Sequence, residues 1–140
     1  MSKMAVIYWS MTGNTQAMAE AIAEGAREVG AEVDLFPVDQ VTVDQAVEYD
    51  KLALGCPAMG AEVLEESEFE PFFTELEGRL GGKRVALFGS YGWGDGEWMR
   101  SWEERCAAAG IALAAPSVIC CEAPDGDALA ACRALGAALA

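Results

Sequence analysis

The sequence predicts an α/β domain with a doubly wound, five-stranded parallel sheet in the order 2-1-3-4-5 and helices on both faces, a single unit over residues 1–140. Three observations predict it. Apolar runs of strand length alternate with stretches of helical period along the whole chain. A length of 140 residues with 53% hydrophobic content suits one domain with a real core. The first apolar run, Met4 to Trp9, breaks into hydroxyl-bearing and small residues just where a helical pattern begins. In a doubly wound sheet such a strand-to-helix junction marks the ligand crevice.

Each element follows in order. After the first strand, Met18, Ile22, Ala26 and Val29 recur at helical spacing, and Gly30 supplies a C-terminal stop. Residues 33–38 read as strand two and residues 52–55 as strand three. Ser67 and Glu70 have the spacing of a capping box for the next helix, with Phe69, Phe72, Phe73, Leu76 and Leu80 as its apolar positions. Residues 85–90 form strand four. Trp98, Trp102, Cys106 and Ala109 give the following helix its buried stripe, which ends at Gly110. Residues 111–121 carry strand five, with Pro116 marking a bend or an edge position. Asp125 caps a last helix in which Leu129, Cys132, Leu135 or Gly136, and Leu139 face inward.

In such a sheet the loops leaving strands one, three and four converge. The first, Ser10-Met11-Thr12-Gly13-Asn14-Thr15, offers three hydroxyls and a glycine at a helix N-terminus, where unpaired N–H groups and a partial positive charge hold an anion. No Lys or Arg lies between Met4 and Gln16, and only one glycine is present, so neither a triphosphate loop nor a dinucleotide fingerprint fits. One terminal phosphate monoester does. The second loop, Cys56-Pro57-Ala58-Met59-Gly60-Ala61-Glu62, and the third, Tyr91-Gly92-Trp93-Gly94-Asp95-Gly96-Glu97 after Ser90, offer Met59 and Trp93 to sandwich a flat aromatic ligand. Glu62 is placed to accept from a ring N–H. Phosphate, flat ring and imide-like edge together describe flavin mononucleotide (FMN).

Composition excludes other classes. The formal net charge of −14 disfavours nucleic acid and anionic membranes and favours basic protein partners. No apolar stretch reaches the length of a membrane span, and no basic segment precedes an apolar signal core, so the cytoplasm is expected. Five cysteines without a Cys-x-x-Cys pair read as reduced, mostly buried thiols. The absence of histidine, with Cys120 and Cys121 adjacent in a strand, leaves no expected metal site.

The segments YWSMTGNT, AMGAEVLEESEFEPF and VALFGSYGWGDGEWMRSWEER resemble short-chain flavodoxins of the clostridial type, and the likeness runs over nearly the whole chain. The resemblance implies a non-enzymatic, low-potential one-electron carrier. It would be a monomer that shuttles electrons between redox partner proteins, mainly through the semiquinone/hydroquinone couple of bound FMN. It further implies that Ser10, Thr12, Asn14 and Thr15 bind the phosphate and that Met59 and Trp93 flank the isoalloxazine ring. Glu62 would accept from N3–H, and the backbone of residues 90–93 would line the pyrimidine edge and ribityl chain. Glu62, Glu65, Glu66, Asp95 and Glu97 would all disfavour added negative charge on the flavin. The alternatives are an FMN-dependent NAD(P)H:quinone reductase on the same fold, which needs longer loops, and a phosphoacceptor receiver, whose acidic pair and late Lys are absent.

Two positions depart from close relatives of that type. Pro57 stands where a Ser can offer its hydroxyl to the phosphate, so that contact is lost here. Ala61 stands where Asp or Gly is common, in a turn that the resemblance expects to pass from type II to type II′ on reduction. Positive φ at Ala61 costs roughly 1–2 kcal/mol, which biases the turn toward the reduced arrangement. Ala61→Gly is therefore expected to lower the first one-electron potential, by about 59 mV for each 1.4 kcal/mol relieved. Redox titration checks this, and an unchanged or higher potential refutes it.

Overall fold

In the computed structural model the described residues are 3–11, 13–59, 63–92 and 94–140. Five strands, β1 (Lys3–Tyr8), β2 (Glu32–Pro37), β3 (Lys51–Gly55), β4 (Arg84–Tyr91) and β5 (Val118–Cys121), pair in parallel in the order β2-β1-β3-β4-β5. Burial follows position in the sheet. From its second residue onward each of the inner strands β1, β3 and β4 is buried almost continuously, whereas β2 and β5 carry alternating, half-exposed patterns suited to edges.

Period-two alternation divides the sheet into two cores. Ala5, Ile7, Leu52, Leu54, Val85 and Leu87 face α3 (Phe69–Leu76) and α4 (Glu97–Ala108), while Met4, Val6, Tyr8, Ala53, Ala86 and Phe88 face α1 (Asn14–Glu28) and α5 (Gly126–Leu139). The single-turn helix α2 (Val43–Ala46), not expected from periodicity, opens on a capping box between Thr42 and Gln45. Cys56, Cys106 and Cys132 are buried, Cys120 is half-buried and Cys121 exposed, all as free thiols.

Several element boundaries differ from expectation for identifiable reasons. Val29 and Ala109 are exposed, not inward-facing. Each is the C-cap before a positive-φ glycine, Gly30 and Gly110, whose N–H groups close on Arg27 and Ala107 while Ala31 and Ile111 close on Ala26 and Cys106. The residue beneath such a glycine has left the helical stripe. Strand five is shorter than the expected 111–121, because Leu113 makes one isolated parallel bridge to Val85 before Pro116 interrupts the ladder and pairing resumes at Val118. Asp125 caps α5 as predicted, accepting from Ala128 N at 2.8 Å.

The capping of α3 requires a correction. Neither Ser67 nor Glu70 caps it. Glu65, three residues ahead of the N-cap Glu68, receives Ser67 N, Glu68 N and Phe69 N on its carboxylate at 2.8, 2.7 and 2.9 Å, together with the Ser67 hydroxyl. Glu70 is engaged elsewhere, by Arg105 of α4 at 2.7 Å and by the Thr74 hydroxyl.

Candidate functional site

The loops after β1, β3 and β4 open on one edge of the sheet, as the topology requires, and bound a cleft of about 420 Å³. The first loop leaves the sheet at Trp9, whose N–H donates to Gly55 O at 3.0 Å. It is folded back on itself by Ser10, whose Oγ accepts from Gly13 N at 3.1 Å and Gln16 N at 3.3 Å. Gly13 then begins α1 with φ +93°, a conformation that favours glycine, and brings no side chain to cap the helix end. Ser10, Met11, Asn14 and Thr15 line the cleft, Met11 from a position that is 68% exposed.

The second and third loops are laced together beyond the ends of their strands. Cys56 N donates to Phe88 O and Ala58 N to Ser90 O, so β3 and β4 continue to hold each other as the chain turns into the cleft. The close approach needs Gly89, where a Cβ would stand 2.3 Å from Cys56 O. The same carbonyl receives the buried Trp98 indole N–H at 3.1 Å. Pro57, Ala58 and Met59 follow along the cleft wall, and Met59 and Val63 exchange reciprocal backbone hydrogen bonds of 2.9 and 3.1 Å. Burial pushes the Cys56 thiol up to about 12, so beside the site it stays a protonated thiol.

Where the first and third loops meet, Thr15 Oγ1 and Ser90 Oγ lie 3.4 Å apart, 1% and 5% exposed. Two buried hydroxyls, each both donor and acceptor, thus share the wall of the cleft beside a helix N-terminus. Tyr91 and Gly92 continue the wall, the Tyr91 ring lying 5.5 Å from Trp98. No Lys or Arg is among the described residues lining the cleft.

One lining residue escaped the sequence analysis. Glu122, just past β5, has φ +58° and donates its N–H to Tyr91 O at 2.6 Å. The signal was topological: β5 neighbours β4 and runs parallel to it, so its outgoing loop opens on the same edge. The structure brings together the expected Ser10, Met11, Asn14, Thr15, Pro57, Ala58, Met59, Ser90, Tyr91 and Gly92, with Gly13 at the adjoining helix start. Thr12, Gly60, Ala61, Glu62 and Trp93 lie outside the described residues.

Glu65 keeps its negative charge, fixed in place by neutral donors. Burial alone would raise its pKa, but the Ser67 hydroxyl and the N–H groups of Phe69, Ser67 and Glu68 outweigh that and hold the carboxyl below its ordinary 4.5. A depressed folded-state pKa stabilises the fold in full above the unfolded value, and this contribution is lost as pH falls through the folded one.

Comparison with known proteins gives a consistent result. The profile of the family described as Flavodoxin matches residues 6–136. The chain is 52% identical over 122 residues to a flavodoxin of Clostridium beijerinckii, covering 87% of this chain and 88% of that one. It is 45% identical over 135 residues to a flavodoxin of Megasphaera elsdenii, covering 96% of each. The solution structure of the two-electron reduced Megasphaera elsdenii protein superposes with a TM-score of 0.89, covering 97% of both chains.

Proposed function

The chain belongs to the flavodoxin family, and we propose that the three-loop cleft is where it holds FMN, the group on which it carries electrons. Like the flavodoxins it is similar to, it is an electron-transfer protein and not an enzyme with a substrate of its own. When bound, FMN supplies one-electron chemistry. The observation that carries the site assignment is the buried Thr15–Ser90 hydroxyl pair beside the start of α1, in a cleft whose described lining carries no cation.

Ser10, Asn14 and Thr15, with Thr12 from the sequence, hold the phosphate through hydroxyl, amide and backbone N–H donors at the positive end of α1. Pro57 faces the cleft with no hydroxyl to add, so the grip rests on the first loop. Met59 and Trp93 flank the ring, Glu62 accepts from its imide edge, and the backbone of Ser90, Tyr91 and Gly92 lines the rest. A phosphate held by dipoles leaves no nearby positive charge to favour electron gain, and the net charge of −14 opposes it further. Both support a low potential. The same acidic surface supports transient docking on basic patches of redox partners.

Titration of the apoprotein with FMN and with riboflavin tests the site. Thr15→Val is expected to weaken FMN binding about tenfold or more, as for the loss of a hydrogen bond to a charged group, and to leave riboflavin binding nearly unchanged. Equal weakening of both ligands would remove Thr15 from the phosphate site.

A further inference from the structure

The second loop has two limbs. The outgoing limb, Pro57 to Met59, lines the cleft, and the returning limb runs from Val63 to the start of α3. Residues 60–62 join them, and the reciprocal Met59–Val63 hydrogen bonds tie limb to limb. The returning limb is fixed in turn by Glu65. Its N–H donates to the Cys56 thiol at 3.3 Å, its carbonyl accepts from Glu70 N at 2.8 Å, and its carboxylate takes the four donors already described.

Glu65 is the one buried acidic side chain among the described residues, at 6% exposure. An ordinary cap satisfies one or two donors from the residue at the helix boundary. Here the acceptor lies upstream of the boundary, midway along the limb, and its backbone is bonded back to Cys56 at the foot of the same loop. A second link leaves from Glu68, whose carboxylate accepts from Trp9 Nε1 at 3.0 Å and so joins the start of α3 to the root of the first loop. Glu65, through the Glu68 N–H it accepts, is therefore the point at which both cleft loops and α3 are made to share one frame.

We infer that Glu65 is a positioning residue for the FMN cleft: its carboxylate fixes the returning limb and thereby the placement of Met59. This rests on the cleft being the FMN site. Beyond the capping of α3, the inference requires that losing the carboxylate loosen Met59 and Val63 and weaken cofactor binding, and that an equal disturbance at the far end of α3 do neither. Glu77, just past that far end, accepts from Arg105 Nε at 2.8 Å and supplies the control.

The test compares Glu65→Gln, Ser67→Ala and Glu77→Gln in the full-length protein by amide exchange at Met59 and Val63 and by flavin fluorescence on dilution of the holoprotein. Glu65→Gln keeps the shape but turns an amide N–H toward donors. It is expected to speed exchange of both amides about tenfold or more and to raise the Kd for FMN by a similar factor. Ser67→Ala, which removes only the hydroxyl, is expected to change both by about threefold, and Glu77→Gln to stay within about twofold. Unchanged exchange in Glu65→Gln, or equal changes in Glu65→Gln and Glu77→Gln, would overturn the inference. Should Glu65→Gln fail to fold, Ser67→Ala decides by the same comparison. Faster exchange at Met59 and Val63 with an unaltered Kd would overturn the inference as well, whereas an unaltered FMN Kd in Thr15→Val, a residue of the cleft wall itself, would instead refute the FMN site.

Discussion

Gly136→Ala is expected to destabilise the protein by about 2 kcal/mol, although alanine is the better helix former by about 1 kcal/mol. A Cβ at Gly136 would stand 2.0 Å from Ile22 O and 3.0 Å from Ala26 N. Across the same contact, a Cβ at Gly25 would stand 2.0 Å from Arg133 O. Helices α1 and α5 thus meet backbone to backbone at two reciprocal glycines, and a backbone carbonyl cannot rotate aside as a side chain can. The helices must separate, and the packing of Met18, Ile22, Cys132 and Leu139 between them and the sheet loosens. Gly25→Ala is expected to cost a similar amount. The double variant should cost less than the sum, because helices already parted accommodate the second methyl. Gly126→Ala supplies the control, since a Cβ there meets nothing within 4 Å. Urea unfolding of the four variants measures this; a Gly136→Ala midpoint equal to that of Gly126→Ala would show that the helices part freely.

Such contacts explain what the sequence could and could not reveal. Periodicity located five strands and the principal helices, because inner strands buried on both faces leave continuous apolar runs and helices end on glycines that adopt positive φ. Spacing leaves Leu135 or Gly136 as the inward residue, both are buried, and nothing local marks Gly136 as the contact point. The Ser67-x-x-Glu70 spacing proposed a capping box, yet which carboxylate takes the helix end was decided by tertiary competition. Arg105, thirty-five residues from Glu70 and on no local pattern, claims it and leaves the donors to Glu65. Val29 and Ala109 were misplaced because helical period continues through a C-cap on paper while the chain turns off it. At the site, the convergence of the three loops followed from topology, and the hydroxyls of the first loop from residue type. Glu122 was missed because that rule was not carried to β5.

Trp102→Ala should be the most damaging single truncation in the other core, at about 3–5 kcal/mol. The Trp102 ring stands edge-on to Phe69 and Phe73, with centroids 5.4 and 5.6 Å away and interplanar angles of 86° and 89°. All three rings are at most 2% exposed, and Arg105 covers Phe73 with its guanidinium 4.9 Å from the ring centroid. Trp102→Phe should behave quite differently. The indole Nε1 is a buried donor without a partner among the described residues, and an unmet donor of that kind costs about 1–3 kcal/mol. Phenylalanine removes that penalty along with part of the ring, so the two changes offset and the net loss should stay within about 1 kcal/mol. The pair separates apolar area from polarity at one position. It also reaches the site, because Phe69 opens α3 and donates its N–H to Glu65 at 2.9 Å. A loosened aromatic trio therefore frees the returning limb of the second loop. Thermal unfolding and FMN Kd should accordingly move together in Trp102→Ala and hardly at all in Trp102→Phe. A Phe variant as damaged as the Ala variant would mean that the indole N–H has an acceptor after all.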